Sequence, residues 1–258
     1  MSHRALLIGI NYRGTNAALR GCINDVHNMR EYLISKGYPE TCITIITEDE
    51  RVKPTRKNII NAILDLLESD AKNLFLHYSG HGSWTPDTGS DESDRRDECL
   101  VPLDYQKAGM ISDDQLSGLF TFMNPNAKMV AVLDCCHSGS ALDLCYTLQN
   151  GRRFIKVGNK RVRRDELMMK KQGKYKDTPG QVVMISGCLD KQTSADAYIA
   201  KQSQGALTAT LLECLKRKSI TWEELIKAVR QKLKARKFTQ IANLTSGQPL
   251  LLTEEFEV

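Results

Sequence analysis

Short apolar runs alternate along this chain with segments whose apolar residues recur at helical spacing. The clearest runs are Leu74-Phe75-Leu76 and Met129-Val130-Ala131-Val132-Leu133, which are apolar throughout. Runs of this kind are typical of strands buried on both faces of a sheet. The pattern predicts strands at residues 4–10, 43–47, 73–76, 128–133, 181–186 and 250–253.

The segments between these runs predict helices at residues 21–35, 55–67, 112–122, 205–217 and 222–235. Because helices separate the strands, we expect the strands to be parallel and the helices to cover the sheet. The chain therefore predicts an α/β fold with a doubly wound, mostly parallel central sheet of at least six strands. In such sheets, ligands bind outside the carboxyl ends of the strands.

A histidine and a cysteine follow two of the predicted strands. His81 lies in the segment His77-Tyr78-Ser79-Gly80-His81-Gly82, and Cys136 lies in Asp134-Cys135-Cys136-His137-Ser138-Gly139, 55 residues later. An imidazole can accept the proton of a thiol and return it to a leaving amine while the thiolate attacks a carbonyl. Gly82 leaves room for backbone N–H groups to approach a developing oxyanion. The pair predicts a Cys-His dyad.

A set of short motifs makes the chain resemble the metacaspases, which are caspase-like cysteine peptidases. A histidine about fifty residues before the cysteine is the order expected of caspases. The resemblance implies a three-layer αβα caspase-haemoglobinase fold, with His81 and Cys136 as the dyad. The matching residues are 7–12, 21–25, 77–82, 97–98, 111–114, 134–140, 142–144 and 186–188.

Length and composition favour one catalytic domain over residues 1–258, because 258 residues with 41% hydrophobic content can bury a full core. No run approaches the ~18 apolar residues of a membrane span, and no secretion signal opens the chain. We therefore expect a soluble, cytoplasmic protein that does not bind membranes, with reduced cysteines. The resemblance favours a monomer.

Charge is distributed unevenly along the chain. Residues 151–176 hold eleven Lys or Arg against two acidic residues, a net charge of +9; the whole chain is +5, so the rest is −4. We expect residues 151–178 to form a basic linker loop between a large-subunit-like part, 1–150, and a small-subunit-like part, 179–258. The resemblance implies self-cleavage in this loop. A plain solvated loop is the alternative, and nucleic-acid binding is disfavoured because no recognisable binding module accompanies the charge.

Two carboxylates are candidates for substrate recognition. Asp25 opens the first helix, where it could simply interact with the helix N-terminus, and Asp134 ends a buried strand, where it could be a structural hydrogen-bonded acid. The resemblance instead implies that they line an acidic S1 pocket together with Cys22 and Ser79. Such a pocket would select protein or peptide substrates with Arg or Lys at P1, because a cation would pair with the buried acids.

The resemblance also implies calcium activation, with Asp97, Ser112, Asp113 and Asp114 as ligands. Hard oxygen ligands suit Ca²⁺, although these residues do not form an EF-hand loop. Without a metal, Ser112 would cap a helix and the two following aspartates would lie in its first turn. Both interpretations can hold together.

Two other functions stay open from the sequence. A zinc site built from Cys135, Cys136, His77 and His81 is disfavoured because these residues lack the usual spacing of zinc ligands. A caspase-fold scaffold that binds partner or aggregated proteins with little proteolysis is disfavoured because both members of the dyad are present.

Overall fold

Alternating strands and helices build the protein around one large sheet. The computed structural model describes residues 2–86, 96–135, 142–157, 160–172, 175–187, 196–199 and 202–258. The strands are β1 (His3–Gly9), β2 (Ile43–Thr47), β3 (Asn73–Ser79), β4 (Gly82–Pro86), β5 (Arg96–Leu100), β6 (Ile111–Ser112), β7 (Lys128–Asp134), β8 (Tyr146–Val157), β9 (Lys160–Lys171), β10 (Gln181–Ser186), β11 (Asp196–Ile199), β12 (Gln202–Gly205) and β13 (Asn243–Ser246). The helices are α1 (Cys22–Ser35), α2 (Arg56–Leu67), α3 (Tyr105–Ala108), α4 (Asp113–Leu119), α5 (Ala206–Cys214) and α6 (Trp222–Ala235).

The central sheet has eight strands in the order β2-β1-β3-β7-β10-β13-β8-β9. The first five are parallel, whereas β13, β8 and β9 are each antiparallel to the preceding neighbour. Smaller sheets join β4, β5 and β6, and join β11 to β12. The expected α/β class and mostly parallel sheet of at least six strands are confirmed.

Side chains of the central strands point alternately to two hydrophobic layers, as the two-residue period of a strand requires. In β1, Leu6 and Ile8 pack into the layer formed with α2 and α4, while Ala5 and Leu7 pack into the layer formed with α1, α5 and α6. Helices thus cover both faces of the sheet. This explains why the strand sequences are apolar throughout rather than alternating.

Polar residues at the helix starts set several boundaries. The Thr55 hydroxyl accepts a hydrogen bond from Asn58 N at 3.4 Å at the start of α2. Thr221 and Glu224 form a reciprocal capping box at the start of α6, which spans the residues predicted for it. Such caps satisfy backbone N–H groups that have no partner within the helix.

Two expectations about the fold are wrong. The basic segment 151–178 is not simply a loop, because its backbone pairs from Tyr146↔Lys171 to Val157↔Lys160 in an antiparallel hairpin. Leu148, Leu167 and Met169 at the base of this hairpin pack on the hydrophobic layer of α1, α5 and α6, which extends the sheet. The last strand is β13, and residues 250–253 form no strand.

In the described part of the chain, no helix is both long enough and apolar enough to cross a membrane. The structure describes six of the cysteines, and all six are free thiols: Cys22, Cys42, Cys99, Cys135, Cys145 and Cys214.

Candidate active site

The carboxyl ends of β3 and β7 bring the two segments of the predicted dyad to the same edge of the sheet. These parallel neighbours pair in a register that places Ser79 opposite Asp134. His81 and Cys136 each follow these residues by two positions. Cys136 lies outside the described residues, whereas Cys135 is buried at the end of β7.

A backbone carbonyl orients the His81 ring. Nε2 of this half-buried side chain lies 2.7 Å from the carbonyl oxygen of Ala17. Because a carbonyl only accepts, Nε2 carries the proton of the neutral imidazole, and Nδ1 carries the lone pair. Nδ1 is therefore the nitrogen that can accept a proton from a thiol.

Two buried tyrosines, Tyr12 and Tyr78, contact His81. The Tyr12 and His81 rings lie 4.7 Å apart, and the Tyr12 hydroxyl accepts a hydrogen bond from His81 N at 3.0 Å. The Tyr78 hydroxyl donates to the His81 carbonyl oxygen at 2.8 Å. Burial raises the pKa of both phenols, so both stay protonated and can donate. A Cβ at Gly80 would lie 2.8 Å from the Tyr78 hydroxyl, so this close approach requires glycine.

Glu48 holds the loop that carries Tyr12 and Ala17. Its carboxylate accepts hydrogen bonds from three successive backbone N–H groups, those of Asn11, Tyr12 at 3.1 Å and Arg13 at 2.8 Å. Tyr12 has a φ of 50°, in the left-handed region that non-glycine residues seldom adopt. The three bonds offset that unfavourable conformation. Sequence analysis missed Glu48, because nothing in its local pattern distinguishes it from other loop acids.

We expect Glu48→Gln to lower kcat by about tenfold, because an amide nitrogen cannot accept and at least one loop N–H would lose a partner, a loss of about 1–2 kcal/mol. The loop would then hold the His81 ring less firmly. Glu50→Gln is the matched control on the same loop, with an exposed side chain. The check is kcat and KM for one peptide together with the thermal unfolding midpoint; an unchanged kcat would contradict the role of Glu48.

Asp25 and Asp134, the predicted specificity residues, meet at the N-terminus of α5. Asp25 is fully buried and accepts hydrogen bonds from Ser79 Oγ at 2.6 Å and from Gly205 N at 2.9 Å. Asp134, also buried, accepts from Thr208 N at 2.7 Å and Thr208 Oγ1 at 2.8 Å. The partial positive charge of a helix N-terminus favours the ionised form of both acids.

Gly205 shows how close the two carboxylates are. A Cβ on this residue would lie 2.2 Å from Asp134 Oδ2 and 2.8 Å from Asp25 Oδ2. The structure thus brings Asp25, Ser79 and Asp134 together around one backbone position. Cys22 begins α1, one helical turn before Asp25, and is buried. Sequence analysis missed Gly205 and Thr208, which lie more than 70 residues from either acid.

Gly82, the remaining residue predicted for catalysis, directly follows His81 and begins β4 opposite Leu100. It is half-buried. Its position beside the imidazole is the one expected of an oxyanion donor. That role stays a prediction.

An acidic cluster forms where the first turn of α4 meets Asp143. Ligand oxygens of Asp113, Asp114 and Asp143 lie within 4.8 Å of one another, and Asp113 and Asp143 are buried while Asp114 is exposed. Carboxylate oxygens suit a hard cation such as Ca²⁺, so the donor set fits. The sequence proposal did not include Asp143, although the motif Leu142-Asp143-Leu144 had already drawn attention to it.

Two of the predicted calcium ligands, Ser112 and Asp113, also have structural roles at the start of α4. Ser112 caps α4 in a reciprocal pair with Gln115, as the alternative interpretation required. Asp113 accepts hydrogen bonds from Glu98 N at 2.9 Å and Asp114 N at 2.8 Å. Burial, and then a hydrogen bond with the Glu98 side chain, raises the pKa of Asp113 to about 8. Asp97 is buried in β5 and is not a member of the three-carboxylate group.

Two comparisons with known proteins agree on the family, and a third agrees on the fold. The family described as "Metacaspase, peptidase C14 domain" matches residues 3–145. "Metacaspase-1" of Mycosarcoma maydis is 37% identical over 96% of this chain and 71% of its own length. "Metacaspase-1" of Emericella nidulans is 36% identical over 96% of this chain and 70% of its own length. The crystal structure of protein GSU0716 from Geobacter sulfurreducens covers 98% of this chain and 97% of its own, with a TM-score of 0.69 and 23% identity, and thus shares the fold.

Proposed function

Because the chain belongs to the metacaspase family of caspase-like cysteine peptidases, we propose that it is an endopeptidase that cleaves after Arg or Lys through His81 and Cys136. One observation carries the catalytic half of this proposal. The Ala17 carbonyl holds Nε2 of His81, which leaves Nδ1 as the base at the strand end that β3 shares with β7.

In the proposed reaction, the Cys136 thiol gives its proton to Nδ1 of His81, and the thiolate sulfur attacks the carbonyl carbon of P1. The resulting oxyanion accepts hydrogen bonds from backbone N–H groups, with that of Gly82 as the candidate. The imidazolium then protonates the leaving amine as the C–N bond breaks, which leaves a thioester on Cys136. His81 next takes a proton from water, whose oxygen displaces the sulfur and releases the acid product.

Two buried acids support the preference for a basic P1 residue. Asp25 and Asp134 flank the same backbone position, Gly205, and each accepts a hydrogen bond from a backbone N–H group at the start of α5. An Arg or Lys side chain entering here would supply positive charge to two desolvated carboxylates. A neutral P1 side chain would bring no such charge, and an acidic one would be repelled by the two carboxylates.

The test of this function is hydrolysis of four fluorogenic peptides that differ only at P1, which is Arg, Lys, citrulline or Asp. Citrulline has the shape of Arg without the charge. We expect kcat/KM to be highest for Arg and Lys and lowest for Asp. Cleavage after Asp or citrulline at the rate for Arg would refute the specificity.

We also propose that Ca²⁺ activates the enzyme through Asp113, Asp114 and Asp143, whose oxygens lie within 4.8 Å of one another. Asp143 lies seven residues after Cys136, so the cluster is linked through a short segment to the proposed nucleophile. A bound divalent cation would favour the ionised form of Asp113, whose pKa burial raises, and would offset the charge of all three carboxylates. Asp97 and Ser112 stay predictions as further ligands.

Calcium should raise the rate of Arg-P1 hydrolysis with a midpoint of about 10⁻⁴ to 10⁻³ M, the range of weak oxygen-ligand sites. Asp143→Asn should remove most of this response, because one charged ligand of the group is lost. Asp65→Asn, at an exposed position on α2, is the control and should keep the full response. A rate that is the same in EDTA and in millimolar calcium would eliminate the calcium proposal.

Self-cleavage is proposed within the basic hairpin. Residues 158–159, between its strands β8 and β9, lie outside the described residues, and the basic residues Lys156 and Lys160 lie on either side of them in the sequence. Connections between strands are frequent sites of proteolytic nicking. A monomeric state, a cytoplasmic location, and the absence of nucleic-acid and membrane binding stay predictions. So does the alternative of a non-proteolytic scaffold.

A further inference from the structure

A chain of three buried side chains ends at the specificity carboxylate Asp134. Thr208 is fully buried at the third position of α5, and its Oγ1 lies 2.8 Å from Asp134 Oδ2 and 3.2 Å from His77 Nε2. His77 is fully buried within β3. Neither His77 nor Thr208 belongs to the dyad or to the predicted S1 residues.

Proton counting fixes the direction of both hydrogen bonds. An ionised Asp134 can only accept, so the single hydroxyl proton of Thr208 points to Oδ2. Thr208 Oγ1 must then accept from His77, which places the ring proton on Nε2. Within the described part of the chain, His77 Nδ1 has no hydrogen-bond partner. In this tautomer Nδ1 carries no proton, so no buried N–H is left without an acceptor. Burial lowers the pKa of His77 to about 3, so the ring stays neutral at working pH.

The backbone N–H and the side-chain hydroxyl of Thr208 therefore donate to the same oxygen of Asp134, Oδ2. Thr208 N alone would suffice to cap α5, because a single acceptor satisfies that N–H. The second bond, from the hydroxyl, adds a donor to the charged form of the acid and limits rotation of its carboxylate. A helix cap needs neither this second bond nor the histidine behind it.

We propose that Thr208 is a specificity-determining positioning residue, which orients Asp134 toward the P1 cation, and that His77 fixes the direction of the Thr208 hydroxyl. This inference rests on the proposed cleavage after Arg or Lys. Thr208 acts through Asp134 rather than on the reacting atoms. Its effect should therefore depend on the charge at P1.

Thr208→Val keeps the shape and the backbone N–H but removes the hydroxyl. We expect it to lower the ratio of kcat/KM for Arg to that for citrulline by about tenfold, because a hydrogen bond to a charged group is lost. The loss should lie mainly in KM for the Arg peptide, because the cation is bound before and during the reaction. Thr208→Ser restores a hydroxyl and should restore most of the ratio.

The second pair of variants tests His77. His77→Gln keeps an N–H donor near the position of Nε2, whereas His77→Leu has none. We expect the Arg-to-citrulline ratio to fall in the Leu variant and to stay near the wild-type value in the Gln variant. Thermal unfolding of each variant shows that the compared proteins are folded; if Thr208→Val does not fold, Thr208→Ala removes the same hydroxyl without the added methyl group.

The outcomes separate this inference from the proposed function. A wild-type protein with no preference for Arg over citrulline would refute the proposed specificity itself. A wild-type preference that is unchanged in folded Thr208→Val or Thr208→Ala would overturn the role of Thr208 alone. An unchanged ratio in folded His77→Leu would overturn the role of His77.

Discussion

Cys136→Ala should abolish peptide hydrolysis, with a loss of kcat of roughly 10⁴-fold or more, and His81→Ala should do nearly the same. The two groups act as a unit, because the thiol needs a base and the leaving amine needs an acid. The double variant should therefore be little worse than either single variant. The measurement is kcat for the Arg-P1 peptide, with thermal unfolding as the check on folding.

Cys135→Ala is the matched control for the nucleophile. Cys135 is buried at the end of β7, and it precedes Cys136 directly. We expect this variant to retain most of the activity. If Cys135→Ala were inactive while Cys136→Ala kept substantial turnover, the assignment of the nucleophile would be wrong.

Asp25→Asn and Asp134→Asn should each lower kcat/KM for the Arg-P1 peptide by roughly 10² to 10³-fold, because a buried charge pair with the substrate would lose one partner. Asn has nearly the same shape as Asp, so the loss would reflect charge. Citrulline-P1 turnover should fall much less. Glu31→Gln, an exposed acid on α1 beside Arg30, is the control.

These two variants should also be less stable. Each carboxylate accepts hydrogen bonds at the start of α5, and loss of its charge removes a favourable interaction with the helix N-terminus, about 1–2 kcal/mol in the free energy of unfolding. A loss of stability with the Arg preference intact would mean that the acids only cap α5. Activity is therefore compared well below the unfolding midpoint.

Local sequence patterns predicted several strands and helices of the fold well. The strands β2 and β10 and the helix α6 have the predicted bounds, because short β-branched runs and a capped, periodic helix are signals that few residues determine. The basic hairpin was missed since its many charges resemble a solvated loop. Its base contacts the core through Leu148, Leu167 and Met169.

The acids of the candidate site could be predicted, but their surroundings could not. Asp25 and Asp134 stand next to recognisable motifs, whereas Thr208 and Gly205 meet them only because α5 packs against the end of the sheet. Glu48, directly after β2, likewise meets the Tyr12 loop only through tertiary packing. Contacts between residues so far apart in the sequence depend on tertiary packing, which the local hydrophobic periodicity does not reveal.

The α5 N-terminus has two roles in this account. Its N–H groups and the Thr208 hydroxyl donate hydrogen bonds to Asp25 and Asp134, which stabilises two buried acids in the free protein. The same donors favour the ionised acids that a basic P1 residue would require. We therefore expect stability and the proposed specificity to depend on the same few hydrogen bonds.

The most direct test of the central claim is covalent labelling in calcium with two peptidyl chloromethyl ketones that differ only in Arg or Asp at P1. Mass mapping of the labelled protein reports the nucleophile and the P1 preference in one measurement. We expect a single adduct of the Arg reagent on Cys136 and little labelling by the Asp reagent. An adduct on Cys135 would contradict the proposed nucleophile, and equal labelling by both reagents would contradict the proposed specificity.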